Sequence, residues 1–174
     1  MDSKESCPYV MTGQIHTSST GGWLRTTVGS CISVCLYDNR LKQGGMNHFI
    51  LSRSPDGDNS DRYGNNSIVH MIEKLRQEGS NRSDLTARII GVGTSITISG
   101  TDSAGSRNIK VAESVLQEES IRVVERHTGG CHGRKIFFNT GTGQVEATAL
   151  NDCLASCKFK GSSCKNRLTA PVAD

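Results

Sequence analysis

Apolar residues in this chain recur at two spacings, and the switches between them mark out the elements. Apolar and small or polar residues alternate through Ile32-Ser33-Val34-Cys35-Leu36-Tyr37 and again through Gly45-Met46-Asn47-His48-Phe49-Ile50-Leu51, with Asp38-Asn39-Arg40 between. A period of two puts every second side chain on one strand face, and Asp and Asn favour turns, so this stretch predicts a β-hairpin. Centring the turn between Asn39 and Arg40 sets position 31 opposite position 48. Ile32, Val34 and Leu36 then face the core with Phe49 and Leu51. Short strands are predicted at 10–17 and 23–27 around a turn at 18–22. Further strands are predicted at 87–92, 121–125, 135–138 and 144–150. Helical spacing appears in Ile68, Met71, Ile72 and Leu75, after Asp61 as a candidate cap and before Gly79-Ser80-Asn81. It returns in Ile109, Ala112, Val115 and Leu116 after Arg107-Asn108, where Asn108 can cap or meet a substrate. Residues 52–60, with Pro55-Asp56-Gly57-Asp58-Asn59, read as a polar loop. Strands outnumber helices, which predicts an α+β fold of packed sheets flanked by helices.

Composition narrows the function classes. A chain of 174 residues can bury one substantial core. The expected folded part is 9–150, with 151–174 a basic extension holding cysteines. A net charge of +3, from 20 basic and 17 acidic residues, is too small to argue for nucleic acid. No apolar run approaches the roughly 20 residues that span a bilayer, so no membrane insertion is expected. Met1-Asp2-Ser3-Lys4-Glu5-Ser6 lacks the apolar core of a secretory signal, which points to the cytoplasm. Seven cysteines, an odd number, fit that reducing compartment better than a disulfide framework. Gly91-Val92-Gly93 lacks the rest of a dinucleotide fingerprint, so no nucleotide cofactor is expected. Cys153 and Cys157, with Cys164, Cys131 or His132, could be assembled into a zinc site. The spacing is loose and no second close ligand pair exists, so no metal is expected. The simpler expectation is a helix exposing a few cysteines, then a frayed tail over 166–174.

The chemistry concentrates at Cys31, in Gly29-Ser30-Cys31, and His48, in Gly44-Gly45-Met46-Asn47-His48. A thiol attacks as thiolate, and a neighbouring imidazole is a common means of producing one near neutral pH. Directly opposed strand residues share a face with Cβ atoms roughly 5 Å apart, so the hairpin would bring the two together. Cys35 lies on the same face and reads as packing, as does Trp23; His70 reads as a partly exposed or packing histidine on the first helix.

These segments resemble the hallmarks of the chemoreceptor glutamine deamidase family, CheD. The resemblance is carried by 26–38 and 44–51, then by Arg62-Tyr63-Gly64, Gly105-Ser106-Arg107-Asn108, Gly129-Gly130-Cys131-His132-Gly133-Arg134-Lys135 and Thr140-Gly141, in the family's order. It covers roughly 9–150. It implies a β-sandwich core with helices outside, related to cysteine toxins that deamidate glutamine. It also implies a protein-glutamine glutaminase that converts selected glutamines of methyl-accepting chemotaxis receptors to glutamate, without a cofactor. Cys31 would be the nucleophile, His48 its acid–base partner, and a threonine just upstream the third member. Position 25 is arginine here, so Thr26 is the candidate and Thr27 the alternative. Some members dock receptors or a CheC-type phosphatase, which is the alternative role the resemblance implies. His127 stands where the family usually has aspartate. The lysines and arginines of the C-terminal extension could meet an acidic receptor surface or stay solvated.

Overall fold

A computed structural model describes residues 4–92, 103–130 and 132–153. Its strands are β1 (Gln14–Ser18), β2 (Trp23–Val28), β3 (Ile32–Asp38), β4 (Gln43–His48), β5 (Leu85–Gly91), β6 (Arg122–His127), β7 (His132–Asn139) and β8 (Val145–Cys153). Its helices are α1 (Gly64–Gln77) and α2 (Ala104–Glu118), and short 3-10 turns lie at Lys4–Ser6, before β1, and at Arg82–Asp84, between α1 and β5. The strands form a five-stranded sheet, β1-β4-β3-β5-β6, and a three-stranded sheet, β2-β7-β8. All neighbours pair antiparallel except β5 and β6, which run parallel because α2 carries the chain back between them. The fold is α+β, as the mixture of periods predicts.

Two apolar clusters give the layers. Ile32, Val34, Leu36 and Phe49 pack with Ile68, Met71, Ile72 and Leu75 of α1 and Ile109, Ala112, Val115 and Leu116 of α2. Cys35, Tyr37, Met46 and Ile90, from the other face of the same sheet, pack with Leu24, Val28, Ile136 and Phe138 of the smaller sheet. The larger sheet is therefore buried on both faces, between helices and second sheet, which is why all seven residues of β3 are buried.

Several expected details change. The hairpin register is shifted: Cys35 pairs with Met46, and Ile32 bridges Phe49, so Ser33 rather than Cys31 lies opposite His48. The cause is the turn. Asp38 Oδ1 accepts from the backbone N–H of Arg40 and of Leu41, at 2.8 and 2.9 Å, and Lys42 takes a left-handed φ of 56°, so the loop closes at Asp38–Gln43. The shift is by an even number of residues, so no side chain changes face. Leu51 does not join the core; it is 38% exposed.

The first predicted strand begins at Gln14 instead, because residues 11–14 turn, with Gln14 N–H donating to Met11 O. Asp61 does not cap α1; its carboxylate lies 2.6 Å from His70 Nδ1, and the N-cap is Tyr63. Asn108 does not cap α2 either. Ser103 does, accepting from Ser106 N–H at 3.1 Å. Trp23 is a rim aromatic, with Lys4 Nζ 4.2 Å above its ring. Gly93, Cys131 and residues 154–174, with Cys157, Cys164 and the basic extension, lie outside the described residues. No helix of the described residues is long and apolar enough to cross a membrane.

Candidate active site

Cys31 sits where the chain crosses from one sheet to the other. β2 ends at Val28, residues 29–31 bend, and β3 begins at Ile32. The bend is held from behind. Gly91 lies so close that a Cβ there would come 2.1 Å from Ile32 Cδ1 and 3.1 Å from Cys31 O, so only glycine permits the approach. Asn108, 2% exposed, donates from Nδ2 to Ile50 O at 2.8 Å and reaches Ser30 O at 3.5 Å. It ties α2 to the bend itself and to the segment that follows β4. Arg134, buried in β7, donates to Gly91 O and, at 2.8 Å, to Gly129 O, fastening the β6–β7 turn to the same corner. Burial lowers its pKa.

His48 ends β4 on the face that looks toward the smaller sheet, and it is 4% exposed. Thr26, fully buried on β2, comes across from that sheet. Its Oγ1 lies 2.7 Å from Val10 O and 2.9 Å from His48 Nδ1. A hydroxyl has one proton, and a carbonyl only accepts, so Thr26 donates to Val10 and its oxygen accepts from Nδ1–H. That fixes the tautomer, leaving the Nε2 lone pair free for acid–base work. Thr27 points to the opposite face of β2 and is half-buried. The structure thus brings Thr26 and His48 together across the sheets and leaves Thr27 apart.

Cys31 shares the His48 face but, among the described residues, its thiol makes no hydrogen bond to the ring; Nε2 is met by Thr12 Oγ1 at 3.4 Å. Burial pushes the Cys31 thiol up and the His48 imidazole down, the latter partly offset by the Val10 carbonyl. Both groups are held toward their neutral forms.

Two parts of the site escaped the sequence reading. One is the segment 10–13, which leads through the turn at 11–14 and was hidden inside an apparent strand; Thr12-Gly13 was its only signal. The other is Asn47, read merely as an alternating polar position. His127 bonds Glu125, with Nε2 2.6 Å from Oε1, and Glu125 also holds Arg88. The histidine where the resemblance implied aspartate thus joins a polar network within β5 and β6.

Comparison with known proteins gives a consistent answer. A family model described as CheD chemotactic sensory transduction matches residues 50–149. A Rhodospirillum rubrum protein named probable chemoreceptor glutamine deamidase CheD is 34% identical over 148 residues, 84% of this chain and 84% of its own length. A span of that length takes in both Cys31 and His48 wherever it begins. A Sulfurimonas denitrificans protein of the same name is 33% identical over 79% of this chain and 90% of its own. One from Trichlorobacter lovleyi is 35% identical over 79% and 86%. Among solved structures, the Bacillus licheniformis hypothetical protein YfiH overlaps with a TM-score of 0.40 and 15% identity, over 62% of this chain and 46% of that one, too distant to carry an argument.

Proposed function

Because this chain belongs to the CheD family, we propose that it hydrolyses glutamine side-chain amides on chemoreceptors, with Cys31 as nucleophile, His48 as proton carrier and Thr26 as the group that orients the ring. The relatives' names supply the substrate class. The observation that carries the residue roles is the chain of contacts Val10 O, Thr26 Oγ1, His48 Nδ1. The ring's Nδ1 is satisfied by Thr26, and its Nε2 has only the long Thr12 contact, on the sheet face that also carries the half-buried Cys31.

The steps follow from that arrangement. Substrate entry carries the thiol to Nε2, which takes its proton as sulfur attacks the amide carbon. The tetrahedral intermediate needs hydrogen-bond donors for its oxyanion, and backbone N–H groups of the bend at 29–31 are the nearest candidates. Imidazolium returns the proton to the departing nitrogen, ammonia leaves, and a thioester remains. Water, deprotonated at Nε2, then releases glutamate and restores the thiol. Thr26 carries no charge, so it orients the imidazolium more than it stabilises it.

The test is ammonia release from a chemoreceptor cytoplasmic fragment, with mass spectrometry locating the glutamine-to-glutamate change. Cys31→Ala and His48→Ala are expected to abolish release while far-UV circular dichroism stays native. Undiminished release from folded Cys31→Ala protein would end the proposal.

A further inference from the structure

A hydroxyl outside the expected trio also touches a reacting atom, and its role rests on the deamidase reading above. The segment 10–13 holds His48 directly and through Thr26. Val10 O receives the Thr26 proton, Gly13 N–H donates to His48 O at 2.7 Å, and Thr12 Oγ1 stands 3.4 Å from Nε2. The turn is itself well fixed. Gln14 Oε1 accepts from Met11 N–H at 3.0 Å. Gly13 has φ 78°, and a Cβ there would come 2.9 Å from Arg62 Cγ, so the turn is packed against the segment leading into α1. Thr12 is thus held in a set relation to the ring through three neighbours rather than meeting it by chance.

Its position relative to solvent matters as much. His48 is almost wholly buried, and Thr12 is exposed. The buried ring meets an exposed hydroxyl at the one nitrogen that must exchange protons. A direct hydrogen bond prefers about 2.7–3.2 Å. At 3.4 Å the contact lies at the long end of hydrogen bonding, so both atoms keep capacity for a third partner, a water that meets them from the solvent side. The thiol is tethered to the chain, on the sheet face that also carries His48. A hydrolytic water has no tether and needs a second polar group to hold it.

The geometry assigns Thr12 a catalytic role in thioester hydrolysis: its hydroxyl holds the attacking water against His48 Nε2. The water oxygen bonds to the thioester carbon as Nε2 takes one water proton. The carbon–sulfur bond then breaks, the proton passes from Nε2 to the Cys31 sulfur, and the product leaves as the glutamate carboxylic acid, which ionises in solvent. Nothing is oxidised or reduced. Ammonia departs earlier, when the thioester forms, so loss of Thr12 separates the two half-reactions.

Thr12→Val and Thr12→Ser, both at an exposed position, are compared with wild type on a chemoreceptor cytoplasmic fragment. Ammonia is followed through the first turnover and beyond, and the acid-quenched protein is examined for fragment attached at Cys31. Wild-type turnover that Cys31→Ala abolishes carries the deamidase reading independently of Thr12. Thr12→Val is expected to give a normal first burst of ammonia, then steady release slowed about tenfold or more, with thioester accumulating on Cys31. Thr12→Ser is expected to restore steady release and clear the adduct. Steady release by Thr12→Val at the wild-type rate overturns the assignment and leaves the deamidase reading standing. So does slow release without burst or adduct.

Discussion

Thr26 and His48 show how much one hydroxyl decides. Its proton goes to Val10 O and its oxygen takes Nδ1–H, so a side chain without charge selects the tautomer of a buried base. Replacing it with valine leaves the Val10 carbonyl and the ring nitrogen to rearrange in a buried seam. The cost expected for such orphaned groups is about 1–3 kcal/mol. Thr26→Val should therefore lower the urea midpoint, lower kcat about tenfold or more, and leave KM little changed, because the lost interaction orients the base rather than binding substrate. Thr26→Ser should recover most of both. Steady-state kinetics beside urea unfolding check this; a valine variant with wild-type kcat would show that the ring finds its orientation elsewhere.

Asn47 matters at the scale of the strand pair. The ladder between β3 and β4 is regular from Cys35–Met46 to Asp38–Gln43, and the chains bridge again at Ile32–Phe49. Between these, Val34 N–H is taken by the Asn47 side-chain Oδ1 at 2.8 Å, and Ser33 Oγ donates to Asn47 O at 2.7 Å. A side chain thus stands in for a backbone rung beside His48. Asn47 Nδ2 donates to Ser67 Oγ at 3.0 Å, so the same residue links β4 to α1. Asn47→Ala strands a buried N–H on Val34 and is expected to cost about 2 kcal/mol, whereas Ser67→Ala removes only one side of the link and should cost less than half as much. Urea unfolding of the two variants measures the ratio. An alanine at 47 as stable as wild type would mean that the ordinary rung simply closes in.

Across the whole molecule, the face of the larger sheet that carries the site is also the face covered by the smaller sheet. That seam holds Cys35, fully buried, its thiol pushed up to about 12 by burial and only partly relieved by Arg88 opposite it. An unfolded cysteine ionises near pH 8.5. Above that pH the unfolded chain has released a proton that the native state retains, so the native state binds more protons and stability falls as pH rises. The contribution is fully present below the unfolded value and is lost at up to about 1.4 kcal/mol per pH unit on the way to the folded one. Thermal unfolding between neutral and strongly alkaline pH should show that slope, and Cys35→Ala should flatten it relative to its own neutral-pH stability. Parallel slopes would place the alkaline sensitivity in other groups.

Local pattern determined where most of the strands and helices lie, which of their faces are apolar, and that Cys31 and His48 share a face; it missed the turn before Gln14 and the exposure of Leu51. Those properties depend on the period of side chains along one element, and a register error of two residues leaves them intact. The fold class followed from the same periods. The hairpin register was decided by Asp38 and Lys42, whose turn hydrogen bonds and left-handed backbone carry no apolar signal. Which hydroxyl orients His48, why Asn47 stands in the ladder, and that Thr12 reaches Nε2 were decided only by tertiary structure. Each joins segments that are distant in the chain, and such a contact exists only once two sheets and a turn have packed together.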